Sequence, residues 1–509
     1  MLSLVLSAAV QGIDAYIVKV ESHLESGLLA FLTVGLPEGA VRESKERVSA
    51  AIKNSGFIFP LKRIIINLAP ADIRKEGSAF DLPIAVGILA SIGSVRSEKL
   101  NKYIILGELA LNGRLRPIKG ALPISAIGRD KNLEGIIVPE ENANEASMAR
   151  GFDVYPMRSL RDTVDFLNGE NQVEPYRLDI SQVFSSRAEY DVDFSDVKGQ
   201  ENAKRALEIA AAGGHNIIMV GPPGSGKTML ARRMSTILPD LTLEEALETT
   251  KVHSVTGMLK SNQALVTQRP FRSPHHSISD AGLIGGGHVP KPGEVSLAHN
   301  GVLFLDELAE FKKNVLELLR QPVEDGTVTI ARATTSLTYP SRFMLAAAMN
   351  PCPCGYATDP NHNCICTPSQ IQKYLTKISG PLMDRIDIQI EVPAVKYKEL
   401  SSISSGEPSS VIRGRAMQAR ARQLERFKNN RKIFTNAAMG SKEIKKYCQI
   451  DSRGHELLKM AITRLGLSAR AYDRILKVGR TIADLEQSES IRPEFISEAI
   501  QYRSLDRNL

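Results

Sequence analysis

An eight-residue stretch near the middle of the chain has the composition and spacing of a loop that binds phosphate groups. Residues 216–220 predict a buried strand before it, and residues 229–238 predict a helix after it. Glycines let backbone N–H groups approach a phosphate closely, and the helix N-terminus adds a positive dipole end. In the pattern G-x-x-x-x-G-K-T, the lysine contacts the β- and γ-phosphates of a nucleotide and the threonine hydroxyl binds Mg²⁺. The residues predicted to bind ATP are Gly221, Pro222, Pro223, Gly224, Ser225, Gly226, Lys227 and Thr228.

Two more apolar runs end in polar residues that could complete a hydrolytic site. Residues 302–305 end in Asp306 and Glu307, and residues 343–349 end in Asn350. Buried parallel strands have such apolar runs, and their carboxyl ends face the ligand crevice. We expect Asp306 to hold Mg²⁺ through water, Glu307 to orient and deprotonate the attacking water, and Asn350 to help position that water. The sequence therefore predicts hydrolysis of the bound nucleotide.

Four of the five cysteines lie close together, with the spacing C-x-C-x9-C-x-C. Four thiolates suit a tetrahedral Zn²⁺ that would fix a long loop, although these pairs are tighter than the usual C-x2-C. Asp359 or His362 could replace one sulfur, and four unligated thiols or redox sensing are the alternatives. Four protein ligands leave no open position, which argues against a catalytic metal. Cys448 is expected to be a buried apolar residue, and the predicted zinc ligands are Cys352, Cys354, Cys364 and Cys366.

Length and composition place these sites in a packed protein of several domains. At 509 residues the chain is too long for one hydrophobic core, and 43% hydrophobic with 24% charged residues is ordinary for a soluble protein. The first ten residues lack the basic segment and cleavage site of a signal peptide, and the longest apolar stretch, residues 82–92, is too short to cross a bilayer. We therefore expect a cytoplasmic protein with no membrane partner and no disulfide framework.

The net charge of +7 is concentrated at the C-terminal end. From Lys396 onward there are 23 Lys and Arg against 13 Asp and Glu. A basic module on a nearly neutral body predicts a polyanionic partner, usually nucleic acid, although a solvated helical face would have the same composition.

Alternating strand-like and helical runs predict a multidomain α/β chain. Residues 1–168 have a mixed pattern, and residues 169–195 form a polar linker. Residues 196–395 form an α/β ATPase domain, a parallel sheet with helices on both faces, which includes the cysteine loop at 350–368. Residues 396–509 form a basic helical domain.

Together these motifs resemble the ComM/YifB family of Mg-chelatase-like AAA+ ATPases, over nearly the whole chain. The resemblance implies an AAA+ P-loop core, a hexameric ring and ATP-driven DNA branch migration during natural transformation, with recombination proteins as further partners. It implies that Arg385 is an arginine finger acting on a neighbouring subunit and Arg470 a second sensor, whereas spacing alone favours ordinary surface ion pairs for both. The matching stretches are 67–77 (NLAPADIRKEG), 271–276 (FRSPHH), 292–299 (PGEVSLAH), 350–355 (NPCPCG) and 378–387 (ISGPLMDRID).

Two insertions in the central domain are candidates for contact with DNA, because insertions at these places project into the pore of helicase-related AAA+ rings. A glycine-rich segment contains Lys291, and residues 327–331 and 336–339 are predicted to form a hairpin with Arg332 near its turn. Sequence-independent phosphate contacts from these two residues are weighed evenly against a mobile loop and an exposed hairpin with incidental charges.

Two other polar stretches are assigned to packing. The basic stretch 413–432 is slightly more consistent with a lid surface that packs on the next subunit than with a DNA-facing surface. The adjacent pair His275 and His276 is assigned packing or loop roles, because neighbouring residues rarely converge on one metal ion.

The N-terminal domain resembles the proteolytic domain of Lon, most clearly over residues 107–118, but lacks its catalytic pair. Lon-type catalysis needs a serine activated by a lysine. With the motifs in register, Ala79 and Leu122 occupy those two positions, while Ser78 is one residue away and Lys119 is three residues short. We therefore predict an inactive Lon-like α+β fold used for assembly or DNA contact.

These observations favour a hexameric, Mg²⁺- and ATP-dependent motor that acts on single-stranded or branched DNA. The alternative is a Mg-chelatase-type ATPase that remodels a protein partner. An ATP-dependent protease would require a working serine and lysine in the N-terminal domain.

Overall fold

The computed structural model describes residues 2–179, 183, 190–260, 263–287, 290–332, 335–394, 406–430 and 433–507. The chain divides into two compact units, Met1–Arg187 with Leu243–Thr267, and Ala188–Thr242 with Gln268–Leu509. The helical tail, predicted as a separate domain, thus shares a unit with the central sheet. Parts of the predicted linker, of the glycine-rich segment, of the hairpin turn and of the basic stretch after residue 430 lie outside the described residues.

The N-terminal unit contains a mixed four-stranded sheet and a parallel three-stranded sheet. Its strands are β1 (Leu2–Gln11), β2 (Asp14–Glu25), β3 (Ala30–Val34), β4 (Arg63–Ala69), β5 (Tyr103–Ile105), β6 (Glu108–Leu109), β7 (Leu115–Arg116), β8 (Gly135–Pro139) and β9 (Asp153–Met157). The larger sheet has the order β1-β2-β4-β3, in which only β3 and β4 are parallel, and the smaller has the order β5-β8-β9. Its first helices are α1 (Gly39–Arg42), α2 (Ser44–Asn54), α3 (Asp81–Ser91), α4 (Ala121–Asp130), α5 (Ala143–Ser147) and α6 (Leu160–Asn168). Helix α3 is almost wholly apolar and buried, and it packs against β1 and β2.

A five-stranded parallel sheet forms the centre of the second unit. Its strands are β10 (Ile217–Val220), β11 (Phe271–Arg272), β14 (Val302–Leu305), β17 (Met344–Met349) and β18 (Ile388–Glu391), and the short strands β12 (Gly285–Gly286), β13 (Lys291–Pro292), β15 (Thr327–Arg332) and β16 (Thr335–Pro340) form two antiparallel ribbons. The sheet order is β11-β14-β17-β10-β18. Every residue of β10, β14 and β17 is buried, as expected for parallel strands covered on both faces. Their carboxyl ends lie at one edge, where ligands bind in such sheets.

The helices from residue 201 onward belong to the same unit as this sheet, with one exception. They are α7 (Glu201–Gly213), α8 (Lys227–Ile237), α9 (Leu243–Thr256), α10 (Asp280–Ile284), α11 (Glu294–Leu297), α12 (Lys313–Leu318), α13 (Arg320–Asp325), α14 (Pro368–Leu375), α15 (Gly380–Met383), α16 (Ser409–Arg426), α17 (Ser441–Tyr447), α18 (Ser452–Leu465), α19 (Ala469–Leu485) and α20 (Pro493–Gln501). Helix α9 is the exception, because it packs against α4 in the N-terminal unit. Helices α16 and α19 pack on α7, and their apolar residues join the core of the sheet.

Most arginines of the predicted basic stretch bind groups within their own unit. Arg413 pairs with Asp240, Arg415 with Glu208 and Glu407, and Arg426 with Asp484, and Arg420 donates to the carbonyl oxygens that end α7. These arginines are therefore engaged within the chain, and packing of this surface on the next subunit stays a prediction. Within the described part of the chain, no helix is both long enough and apolar enough to cross a bilayer.

Candidate active site

The phosphate-binding loop connects β10 to α8 at the carboxyl edge of the parallel sheet. Gly224 and Gly226 have φ angles of 76° and 86°, which favour glycine over other residues. Gly221 tolerates no side chain either, because a Cβ there would lie 2.1 Å from the carbonyl oxygen of Val392. Gln200 donates a 2.7 Å hydrogen bond to the carbonyl oxygen of Ser225. The loop therefore has its phosphate-binding form because of glycine at three positions and a hydrogen bond from the segment before α7.

The Lys227 side chain is buried and folds over the loop. Its Nζ donates to the carbonyl oxygens of Gly221 at 2.7 Å and Pro222 at 2.8 Å, and lies 3.3 Å from Oδ1 of Asn350. Burial lowers the pKa of the ammonium, and the carboxylate of Asp306 acts in the opposite direction. A phosphate anion at this loop would meet a cation with little competing water.

The two residues predicted to bind Mg²⁺ are in direct contact. The Thr228 hydroxyl donates a 2.6 Å hydrogen bond to Oδ2 of Asp306, which follows β14. Asn350 follows β17, the strand beside β14, so the neighbouring strand ends bring both polar residues to one place. Hydroxyl and carboxylate oxygens are ligands that Mg²⁺ prefers, so Thr228 and Asp306 fit this ion. Thr228 and Asp306 would hold this ion, which would supply positive charge to offset the charge that develops on the phosphate oxygens.

Glu307 lies at the exposed side of this site. Its backbone is left-handed, with φ 52°, and its side chain is 60% exposed. Its N–H donates a 3.0 Å hydrogen bond to Oδ1 of Asp306, which fixes the two acids relative to each other. A general base must be within reach of a water molecule, and this position meets that condition.

His276 is a functional candidate that the sequence analysis assigned only to packing. Its Nε2 lies 3.8 Å from Oε2 of Glu307, and its ring also contacts His275 and Phe311. It follows β11, which pairs in parallel with β14, so both residues come from adjacent strand ends. The signal available in the sequence was a histidine shortly after a strand-like segment, and its meaning depended on that strand lying beside the one that ends before Asp306 and Glu307.

Arg385 and Arg470 lie near each other in this unit, and each contacts groups other than the phosphate-binding loop. Arg385 is almost buried, pairs with Glu324 and donates to the carbonyl oxygen of Pro381 at 2.6 Å. Burial lowers the pKa of Arg385, and the guanidinium groups of Arg470, Arg320 and Arg474 act in the same direction. Arg470 is 59% exposed and lies 3.7 Å from Asp384.

The two insertions, which we call the paired ribbons (β12–β13 and β15–β16), pack together. The Tyr339 hydroxyl of β16 is buried and donates a 2.6 Å hydrogen bond to the carbonyl oxygen of Pro290. A Cβ at Gly286 of β12 would lie 3.3 Å from Nη2 of Arg332. Lys291 and Arg332 are both exposed, and the predicted hairpin is confirmed.

The four clustered cysteines converge between β17 and α14. The Sγ atom of Cys352 lies 3.3 Å from that of Cys354 and 3.7 Å from that of Cys364, and all four Sγ atoms lie within 4.8 Å of one another. A tetrahedral Zn²⁺ with Zn–S bonds of about 2.3 Å separates its sulfurs by roughly 3.8 Å, so the thiols fit that ion. Backbone N–H groups point at Sγ of Cys352 and of Cys366, as they would to thiolates. Asp359 and His362 instead pair with each other, at 2.7 Å.

The protease-like positions of the N-terminal unit do not form a catalytic pair. The Ser78 hydroxyl hydrogen-bonds to Glu108, whereas Nζ of Lys119 lies 3.4 Å from the carbonyl oxygen of Thr256. Leu122 is buried and apolar. Within the described residues, the group that accepts the Ser78 hydrogen bond is a carboxylate and not the lysine of a Lon-type pair.

Comparison with known proteins finds relatives over the whole chain. Family models described as "Magnesium chelatase, subunit ChlI", "Subunit ChlI of Mg-chelatase" and "Magnesium chelatase, subunit ChlI C-terminal" match residues 193–400, 20–142 and 406–503. The chain is 46% identical to Uncharacterized protein YifB of Escherichia coli over 509 residues, and 45% identical to Competence protein ComM of Haemophilus influenzae over 513 residues. Each alignment covers 100% of this chain and 98% of the relative.

A third similarity concerns the N-terminal part. Lon protease 2 of Bacillus subtilis is 34% identical over 154 residues, which are 28% of this chain and 26% of that protein. The fold is therefore a Mg-chelatase-like AAA+ unit with a Lon-like N-terminal unit, and its site is that of an ATPase using ATP and Mg²⁺. The chain belongs to the ComM/YifB family of Mg-chelatase-like AAA+ ATPases.

Proposed function

We propose that this ATPase is a motor that acts on single-stranded or branched DNA as a ring of six copies. The observation that carries the proposal is the packing of the paired ribbons, which holds Lys291 on one ribbon and Arg332 on the other, both exposed. Phosphate contacts from such side chains are independent of base sequence, as a motor requires. The full-length similarity to a competence protein supports a role in competence.

The contacts of Arg385 support assembly into a ring. Within its own chain it binds Glu324 and Pro381, and its Nε is buried with no hydrogen-bond partner among the described residues. An arginine finger supplied to a neighbouring subunit would exchange these contacts for the γ-phosphate. Arg470, with a 59% exposed side chain, would act as the second sensor.

Remodelling of a protein partner is the alternative that the magnesium-chelatase family models favour. The decisive measurement is the steady-state ATPase rate with and without single-stranded DNA and a four-way junction, at two salt concentrations. We expect severalfold stimulation that falls steeply as salt rises, because phosphate contacts release counterions. Normal basal ATPase with no response to either DNA would favour remodelling of a protein.

A charge-matched pair of variants assigns the stimulation to the ribbons. Lys291→Ala with Arg332→Ala should weaken apparent DNA affinity by about tenfold and flatten its salt dependence, because two phosphate contacts are lost. Lys442→Ala with Lys445→Ala removes the same charge from α17, where both lysines are exposed, and should leave stimulation intact. Equal losses in both variants would indicate nonspecific attraction rather than a ribbon site.

The cysteine cluster is proposed to bind one structural Zn²⁺ per chain. Elemental analysis of the purified protein should find zinc at that ratio, and Cys352→Ser should release it and make residues 350–367 sensitive to protease. Absence of zinc from freshly purified protein, with four reactive thiols, would reject this site in favour of unligated thiols.

A further inference from the structure

The loop that contains the cysteine cluster is joined to the nucleotide site at both of its ends. It begins at Asn350, whose Oδ1 lies 3.3 Å from Nζ of Lys227, and reaches Cys352 two residues later. It ends at Thr367, which caps α14 directly after Cys366. A change that immobilises the cysteines therefore also restricts the backbone of Asn350, whose side chain contacts Lys227.

Helix α14 returns to the same asparagine. Tyr374 of this helix is buried, and its hydroxyl faces the backbone N–H of Asn350. The chain thus runs from Asn350 through the cysteines into α14 and back to Asn350. Movement of the cysteine loop would therefore displace the backbone of Asn350, both through the chain and through Tyr374.

The middle of the loop contacts the phosphate-binding loop itself. A Cβ at Gly355 would lie 2.6 Å from Cδ of Pro223, so the Gly355 backbone packs directly on that proline. The same glycine donates its N–H to Sγ of Cys352 at 3.2 Å. One residue therefore links a sulfur of the cluster to the phosphate-binding loop.

We infer that metal binding at the cysteine cluster and nucleotide binding at the phosphate-binding loop are coupled. A bound ion would cross-link four sulfurs of residues 350–367, which contain no helix or strand, and so limit the positions open to Asn350 and Gly355. Coupling between two binding equilibria is reciprocal, so the nucleotide must retain the metal to the same extent that the metal favours nucleotide binding. This inference rests on the proposed zinc site and is independent of DNA.

Zinc release from the intact protein to a colorimetric chelator tests the coupling. In the presence of Mg²⁺ and a nonhydrolysable ATP analogue, release should slow by about fivefold or more. Lys227→Ala, which cannot bind the nucleotide tightly, should retain its zinc and lose this protection. That variant also controls for chelation of zinc by the nucleotide.

Two loop variants separate the coupling from stability of the metal site. Gly355→Ala keeps all four thiols but adds a Cβ against Pro223 and strains a backbone with φ 91°. It should weaken nucleotide affinity by about fivefold or more, and elemental analysis of the same sample should still find zinc at one per chain. Ile365→Ala changes an 85% exposed side chain between two of the cysteines and should alter neither quantity. If Gly355→Ala does not fold, the zinc-release assay on wild-type protein still decides.

The outcomes distinguish the two proposals. Zinc at one per chain with the same release rate with or without nucleotide would overturn the coupling and leave the metal site standing. Protein without zinc would overturn both. A negative result with DNA would affect neither, because no DNA enters these assays.

Discussion

The N-terminal unit and the ATPase unit both contain residues that resemble a catalytic motif, but only in the ATPase unit do those residues meet. Lys227, Thr228, Asp306 and Asn350 are joined by contacts of 2.6–3.3 Å. In the N-terminal unit, Ser78 binds Glu108 and Lys119 lies beside Thr256.

The difference shows what a motif needs before it indicates an activity. The ATPase residues follow neighbouring strands of one parallel sheet, so the fold brings them together at its carboxyl edge. The N-terminal unit is similar in sequence to a Lon protease, whereas Ala79 and Leu122, at the positions that the resemblance assigns to nucleophile and base, are apolar. Similarity over such a stretch indicates the fold, and only the side chains indicate chemistry.

Arg385 gives the strongest test of the ATPase site, because it binds Glu324 and Pro381 and not the phosphate-binding loop of its own chain. Arg385→Ala should lower kcat by about 1,000-fold with nucleotide affinity nearly unchanged, since an arginine finger stabilises charge in the transition state. Steady-state ATPase and nucleotide titration measure the two effects. Arg150→Ala, at an exposed position of the N-terminal unit, is the control.

Mixing variants tests whether the arginine acts between subunits. Arg385→Ala and Lys227→Ala are each expected to be inactive, but mixed rings would contain interfaces with an intact arginine facing an intact loop. Partial recovery of ATPase on mixing is the expected result. Activity of the mixture no higher than the summed activities of the two separate variants would reject a role between subunits and leave Arg385 as the ion-pair partner of Glu324.

Glu307→Gln should keep ATP bound and reduce turnover by about 100-fold or more, because the amide cannot accept the proton of the attacking water. Glu310→Gln is the matched control, since Glu310 is a nearby carboxylate paired with Lys377 at 3.4 Å. Binding of a fluorescent nucleotide and the ATPase rate are measured on both. Near-normal hydrolysis by Glu307→Gln would remove this residue from the role of base.

His276→Ala should lower kcat by roughly tenfold and leave KM within about twofold, because a misplaced base slows the chemical step without weakening binding. His276→Gln, which retains a polar group near Glu307, should recover part of the loss. His455→Ala, an exposed histidine on α18, is the control. A rise in KM with unchanged kcat would show that His276 contributes to nucleotide binding and does not position Glu307 for the chemical step.

The sequence was sufficient for those features that depend on neighbouring residues. The helix after the phosphate-binding loop, the strand before Asp306 and the hairpin with Arg332 near its turn each have a local pattern, and each is confirmed as secondary structure. The cysteine spacing also predicted a cluster, because two short pairs on one loop can meet without help from the rest of the fold.

Features that depend on distant pairing were missed. The contact of His276 with Glu307 requires β11 to lie beside β14, and no local pattern specifies that neighbour. The placement of α9 in the N-terminal unit depends on packing against α4. Likewise, counting charges in 413–432 could not reveal that Arg413, Arg415, Arg420 and Arg426 are already bound to acids and carbonyl groups.

Ser78→Ala should change neither ATPase activity nor melting temperature appreciably, and neither wild type nor variant should cleave casein. The reason is that Ser78 binds a carboxylate at a partly buried position, while Lys119, the lysine nearest in sequence to the expected base, contacts Thr256. Cleavage of casein by wild type that is lost in Ser78→Ala would break the comparison, because a motif whose residues lie apart would then be catalytic. Cleavage that persists in Ser78→Ala but is lost in Lys227→Ala would instead point to another nucleophile in this chain, dependent on ATP.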